Sequence, residues 1–251
     1  MRSKFLTLLR SYLEYSKQFM KYYISIFYLL IAGLHTTMYA QVNADSLELI
    51  LSESTTPTTE LGILLPLIDD LEDSNNILAK KYAFRAFDLA TILADEEKLL
   101  ETEMILSRLY IQRSNWDSSR HWANEALTLS QKLKDTKQEC KALRNLGLIE
   151  EKSGALSKAL RFYEDAMRVA PDDETKLPLY NNMGIAYKQA GRLEISISSF
   201  QQGMEVAERL KNKQAQAIIS NNIGDIHLIL HNYKKAEDYF CLLYTSPSPR
   251  D

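Results

Sequence analysis

One three-residue figure recurs along this chain. Gly147, Ala159 and Tyr163 are spaced by twelve and then four residues; Gly184, Ser196 and Phe200 repeat that spacing, as do Gly224, Ala236 and Phe240. Ser107, Ser119 and Ala123 form a weaker copy, and successive anchors lie 40, 37 and 40 residues apart. Self-similarity at such a period requires one small module stacked on itself, because a lone module cannot bury its apolar face. Stacks of this kind work mainly by presenting a surface, so the frame points to binding rather than catalysis.

Each module reads as two helices. With 8 Gly and 6 Pro in 251 residues, long stretches run without a breaker. Leu143, Leu146 and Gly147 sit at helical spacing in a first helix that reaches about Lys152. Gly154 breaks it, and Ala159, Tyr163 and Ala166 then share one face of a second helix that Pro171 closes. Small residues allow close helix approach while the aromatic fills the gap above them. The next module repeats this with Tyr180, Met183, Gly184, Tyr187, Gly191, Ser196, Phe200 and Gly203, and the third with Ile223, Gly224, His227, Ala236 and Phe240. Leu106, Tyr110, Trp116, Ser119, Ala123 and Ala126 form a divergent unit; Ala79, Ala83 and Ala86, preceded by Leu61–Leu71, suggest an earlier one. The expected fold class is all-α, a solenoid of four to five antiparallel helix pairs over residues 60–240. Its units are placed at 60–99, 100–139, 140–176, 177–216 and a truncated 217–240.

The N-terminus reads as an export signal. Lys21 precedes the thirteen-residue apolar run from Tyr22 to Leu34, of signal-peptide length and short of the ~20 residues that span a bilayer. Ala40 suits the residue before a cleavage, although Met38 is large for the other recognition slot. Residues 1–40 are therefore expected to form a signal peptide, with Met20 the natural start. The alternative is an uncleaved anchor, since no charge interrupts Tyr22 to Ala44. Residues 41–59 are expected to hold a linker and a short capping helix at Asp45–Leu51. No Cys precedes Cys140, which excludes a lipoprotein anchor at this signal.

The other end reads Cys-Leu-Leu-Tyr-Thr-Ser-Pro-Ser-Pro-Arg-Asp, a string that resembles a translated sequencing adapter over all of residues 241–251. On that reading Cys140 is the one native cysteine, no internal disulfide is possible, and the natural protein is expected to continue past Phe240.

Charge narrows the partner. The net charge is −3, yet Arg2, Lys4, Arg10, Lys17 and Lys21 stand against Glu14 alone in residues 1–40, while Arg250 and Asp251 cancel. About −7 is left on residues 41–240. No basic face remains for phosphate backbones, so no nucleic-acid partner is expected.

The small residue, the Ala, the aromatic, the second Ala (Ala126, Ala166) and Pro171 together resemble the tetratricopeptide repeat family over about residues 60–240. Periods of 37–40 exceed the family's usual 34; Ser107, Ser119 and His227 stand where Gly, Ala and Tyr are usual. The resemblance implies a right-handed superhelix whose first helices line a concave groove that holds a protein or peptide segment. It places the groove at positions six and three before each Gly, and one, four and five after. Those are Lys141, Arg144, Leu148, Glu151 and Lys152; Asn181, Ile185, Lys188 and Gln189; and Asn221, Asp225 and Leu228. Asn145, Asn182 and Asn222 also precede the apolar residue before each Gly. A carboxamide can pair with the peptide groups of an extended ligand or bridge neighbouring repeats. Arg144 and Lys188 can meet a carboxylate or remain solvated.

A signal followed directly by lengthened repeats resembles the exported region of bacterial sensory proteins, of a kind abundant in Bacteroidota. The expectation is an exported peptide-binding scaffold. The alternative is the extracytoplasmic sensory domain of a membrane histidine kinase, cyclase or helix-turn-helix regulator. An enzyme with a catalytic domain after the repeats is a third reading, and contact with a membrane is expected only through the signal or a downstream helix.

No cofactor or metal is expected. His227 and His231 lie four apart, but no third ligand sits at a fitting offset. Trp116 and Trp122 suit gaps between helices, and Cys140 has no His partner that would make it a nucleophile. No phosphate loop, Gly-x-Ser-x-Gly or dinucleotide fingerprint occurs.

Overall fold

Four turns of this chain are built from a recurring pair, a residue of positive φ followed by a helix cap. Ala94, Ser114, Lys134 and Lys211 hold φ of 52°, 54°, 58° and 53°. Each is followed by an Asp or Asn whose side chain accepts from a backbone N–H three residues on: Asp95 from Lys98, Asn115 from Ser118, Asp135 from Gln138 and Asn212 from Ala215. A left-handed non-glycine costs about 1 kcal/mol or more, and a cap of this type returns about 1 kcal/mol. Where glycine takes the left-handed position, at Gly154 (φ 89°) and Gly191 (φ 72°), the next residue makes no side-chain cap.

The computed structural model describes residue 51, residues 56–72 and residues 74–244. The expected signal peptide, the Met20 start, most of the linker with its capping helix, and residues 245–251 lie outside the described residues. Two compact units are distinguished, residues 1–63 and 64–251. The first contributes only residue 51 and the opening of one helix to what is described.

Among the described residues ten helices follow one another without a strand: α1 Pro57–Glu72, α2 Asn76–Leu93, α3 Glu96–Gln112, α4 Trp116–Leu133, α5 Thr136–Lys152, α6 Leu156–Val169, α7 Asp173–Gln189, α8 Leu193–Arg209, α9 Lys213–Ile229 and α10 Tyr233–Tyr244. From α3 onward, odd-numbered first helices pair with even-numbered second helices. The two repeat lengths have a simple origin. α7, α8 and α9 are each 17 residues, joined by three-residue turns, which gives 40. α6 has only 14 residues before Pro171 follows, which gives 37. The excess over 34 therefore lies in longer helices.

The twelve-and-four figure is the contact that locks each pair. A Cβ on Gly147 would lie 2.4 Å from the Tyr163 ring; on Gly184, 2.6 Å from Phe200; on Gly224, 2.5 Å from Phe240. Only glycine lets the ring lie against the backbone. Tyr163, Phe200, Ala159 and Ala166 are fully buried, and Ala236 nearly so. Tyr163 and Ala166 meet Leu143 of α5 and Leu179 of α7 in one cluster; Phe200 meets Ile219, Ile223 and Ile226 of α9 in the next. Where Ser fills the Ala slot, its hydroxyl donates to the anchor's carbonyl: Ser196 to Gly184 at 2.6 Å and Ser119 to Ser107 at 2.8 Å. The divergent unit thus keeps its register by a hydrogen bond, with Ala123 small enough to tolerate a side chain at Ser107. Trp122 of α4 meets Phe84 and Phe87 of α2 edge-on, at 5.9 and 5.1 Å between centroids.

Candidate functional site

Each first helix packs on the first helix of the next unit, α3 on α5, α5 on α7 and α7 on α9. The eight expected groove residues Lys141, Arg144, Leu148, Asn181, Ile185, Lys188, Asn221 and Asp225 all lie on α5, α7 and α9, and all are at least partly exposed.

Their surroundings differ from one end to the other. Between α7 and α9 the polar groups meet one another. Lys188 pairs with Asp225 at 3.5 Å, and Asn222 donates to Asn181 at 3.1 Å. Ile185 packs against the cluster around Phe200, while Asn221 is exposed. Glu151, one of the family-implied positions, is not on the groove surface. Its carboxylate is buried, accepts from the Tyr163 hydroxyl at 2.8 Å and from Gln189 of the next unit at 3.1 Å. Burial, with this carboxylate beside it, raises the Tyr163 phenol far above its ordinary range.

Between α3 and α5 lies a cleft of about 620 Å³. Its walls include Glu101, Met104 and Arg108 from α3 and Gln138, Lys141, Arg144 and Asn145 from α5. Glu101, Met104 and Arg108 went unassigned in the sequence, yet they stand six and three before and one after Ser107, the offsets at which the family resemblance expects a groove. The signal was present, hidden by the missing glycine. Arg108 is held across to α1 by Glu72 and Asp69 at 2.6 and 2.9 Å. A smaller cleft of about 220 Å³ lies beyond α5, lined by Lys137, Cys140, Lys141, Arg144, Glu174 and Thr175. Burial lowers the pKa of the Arg144 guanidinium, and the like charge of Arg108 adds to the effect.

The remaining candidates take structural places. Tyr187 is half-buried on α7, and Pro171 is exposed in the turn after α6. His227, in the corresponding slot of α9, stacks on Tyr239 with centroids 5.6 Å apart. His231 has φ 57° and lies 3.1 Å from the Tyr233 hydroxyl. Among the described residues no three His, Cys, Asp or Glu side chains are grouped to hold a metal ion. Cys140 is buried, which pushes its thiol pKa up. No described helix is long and apolar enough to cross a membrane.

Comparison with known proteins adds a family and a fold. A family model described as tetratricopeptide repeat matches residues 98–172 and 176–245, more than half of the chain. No curated protein matches it. Among solved structures, a Rap protein complexed with competence and sporulation factor is similar at a TM-score of 0.64 and 12% identity, over 77% of this chain and 65% of that one. Aspartyl phosphate phosphatase F from Bacillus subtilis gives 0.61 and 10%, over 76% and 60%. A kinesin light chain from Podosopora anserina with nearly identical TPR-like repeats gives 0.60 and 11%, over 76% and 96%. At these identities the likeness is one of fold. The chain spans about 60% of the phosphatase's length and 65% of the Rap protein's.

Proposed function

The chain belongs to the tetratricopeptide repeat family, and from that premise we propose that it is an exported scaffold holding a peptide or protein segment in the groove of its first helices. Repeat stacks of this family are in general non-catalytic scaffolds for protein partners. The observation that carries the reading is the open α3–α5 cleft, whose lining includes Lys141 and Arg144, two of the positions counted from Gly147. Export rests on the apolar run from Tyr22 to Leu34 behind Lys21.

Two measurements test it. An alkaline phosphatase fused after residue 44 gains activity only outside the cytoplasm; an inactive fusion removes export. A peptide array probed with the full chain should retain extended peptides, and Asn221→Ala should weaken that binding about fivefold, the worth of one ordinary hydrogen bond. Unchanged binding in Asn221→Ala and Asn181→Ala counts against the groove.

A second reading makes this region the extracytoplasmic sensory domain of a membrane histidine kinase, cyclase or helix-turn-helix regulator. It is favoured by the likeness in fold to a Rap protein complexed with competence and sporulation factor. Reading the same locus past the codon for Phe240 separates the two. A transmembrane run and an output domain would support the sensor; a stop after one or two more helices would remove it.

A further inference from the structure

Short turns join helices that pack side by side, so successive helices run in opposite directions and the turns alternate between two edges of the stack. The edge formed by the α2–α3, α4–α5, α6–α7 and α8–α9 turns spends its charges internally. Lys132 pairs with Glu96, Lys137 faces Glu174 and Asp172 at 3.5 and 4.0 Å, and Arg209 holds Asp173 at 2.8 Å. The other edge, formed by the α3–α4, α5–α6, α7–α8 and α9–α10 turns, does not. Arg113, Lys152, Lys158, Arg192, Lys234 and Lys235 stand exposed on it, and none of their side chains makes an ion pair or hydrogen bond among the described residues. Of its acids, Asp117 and Glu150 share Arg120 at 3.2 and 2.8 Å, Glu151 is buried against the Tyr163 hydroxyl, and Glu194 is exposed. The net negative charge of the chain conceals this row, because the two kinds of turn average out along the sequence.

The same edge carries an apolar tip. Leu228 and Ile229 end α9, Leu230 follows in the turn and Tyr233 opens α10; the four are 37–65% exposed. In earlier units the corresponding slot is polar. Lys188, Gln189 and Ala190 on α7 and in its turn stand at the same offsets from Gly184 as Leu228, Ile229 and Leu230 from Gly224, and Glu151, Lys152 and Ser153 stand so from Gly147. Both of those units have a further unit packed against them, so packing a neighbour does not call for three large apolar side chains here. Contiguous exposed apolar side chains mark an interaction surface. Lys234 and Lys235 follow directly in the first turn of α10, with Glu237 and Asp238 a turn further on. Apolar side chains beside a tyrosine and two lysines match the layers of a bilayer surface. The ring suits the headgroup level, and the lysine stems lie along apolar surface while their ammonium groups reach phosphate.

We infer that this edge docks on an anionic phospholipid surface. Leu228, Ile229, Leu230 and Tyr233 enter the boundary between headgroups and acyl chains, Lys234 and Lys235 meet the headgroup phosphates, and Lys152 and Arg192 on neighbouring turns add attraction to the charged surface. The apolar tip decides for lipid over a soluble polyanion, which would use the cations and leave the leucines and isoleucine in water. The contact lies on the bilayer and needs no crossing helix. It is separate from the groove, so the stack could hold a partner segment while docked.

The test uses the full chain with vesicles of phosphatidylcholine alone or of equal parts phosphatidylcholine and phosphatidylglycerol. The apolar run from Tyr22 to Leu34 can itself bind a vesicle, so docking of the tip is read locally, by hydrogen exchange at residues 229–235. Those amides should slow at least tenfold on the anionic vesicles and far less on the neutral ones. Lys234→Gln with Lys235→Gln should remove most of that difference, about fivefold per lysine. Ile229→Ser with Tyr233→Ser should abolish protection on both vesicles, and exchange in α5–α8 of the same samples reports whether the fold is intact. Lys211→Gln with Lys213→Gln, on the opposite edge, should change nothing. Exchange unaffected by vesicles, or protection that survives both tip variants, overturns the inference. So does protection that grows with protein concentration without lipid, which would put a second copy on the tip, or equal protection by polyphosphate, which would make the edge a polyanion site. Each of these outcomes leaves the groove standing.

Discussion

Glu103 lies on α3 only 5% exposed, and its Oε2 has no hydrogen-bond partner. Burial, and then the neighbouring charge of Glu125 on α4, push its carboxyl up to about 7 from 4.5. In the unfolded chain the group ionises near its ordinary value, while the folded chain keeps it protonated to near neutrality. Its contribution to stability is therefore complete below pH 4.5 and is lost progressively as pH rises to about 7. The loss is roughly 3 kcal/mol at 1.36 kcal/mol per pH unit, large beside the ~0.5 kcal/mol of an ordinary surface change. Glu103→Gln should accordingly be more stable than the parent in urea at pH 8 by about 2–3 kcal/mol and equal to it at pH 4. Parallel pH profiles for the two proteins would show that Glu103 ionises freely. The sequence did not reveal this residue. Its charge sits within an ordinary helical stretch, and only the packing of α3 on α4 takes it out of water.

At the scale of helix pairs, the sequence was most legible where one residue excludes all others. Gly147 and Gly184 could be picked out as anchors because a ring takes the space a Cβ would occupy. Gly184→Ala shows the balance of forces. Alanine gains about 1 kcal/mol of helix propensity, but its methyl would sit 2.6 Å from the ring of a fully buried Phe200. Overpacking of this kind costs about 1–3 kcal/mol. The clash should win, and chemical denaturation should show a net loss of about 1–2 kcal/mol. Phe200→Leu in the same chain should recover part of it, giving a coupling of at least 0.5 kcal/mol. Additive effects would mean that the spacing marks no contact. What remained illegible were pairings across the groove. Lys188 with Asp225 and Asn222 with Asn181 depend on the distance between first helices of successive units, which no single helix encodes. Glu151 was misplaced for a related reason: the Tyr163 hydroxyl draws it inward.

Across the stack, burial is uneven in a way the repeat period does not suggest. Tyr163 and Phe200 are sealed between helix pairs, whereas Phe240 in the same slot of α10 is half-buried. Large apolar side chains are exposed together on α9 and α10 or the turn between them: Ile218, Leu228, Ile229, Leu230 and Tyr233, the last at 65%. Stability in such stacks is close to a sum of unit and nearest-neighbour terms, so local opening follows local burial rather than one global value. Hydrogen exchange should find the amides of α5–α8 slowest and those of α9–α10 faster by at least thirtyfold, about 2 kcal/mol of opening free energy. The order matters for the groove as well, because the paired residues of α7 and α9 would then be held by a strong helix on one side and a weaker one on the other. A bound segment reaching Asn221 would slow exchange in α9. Uniform protection from α5 to α10 would show instead that the stack opens as one cooperative block.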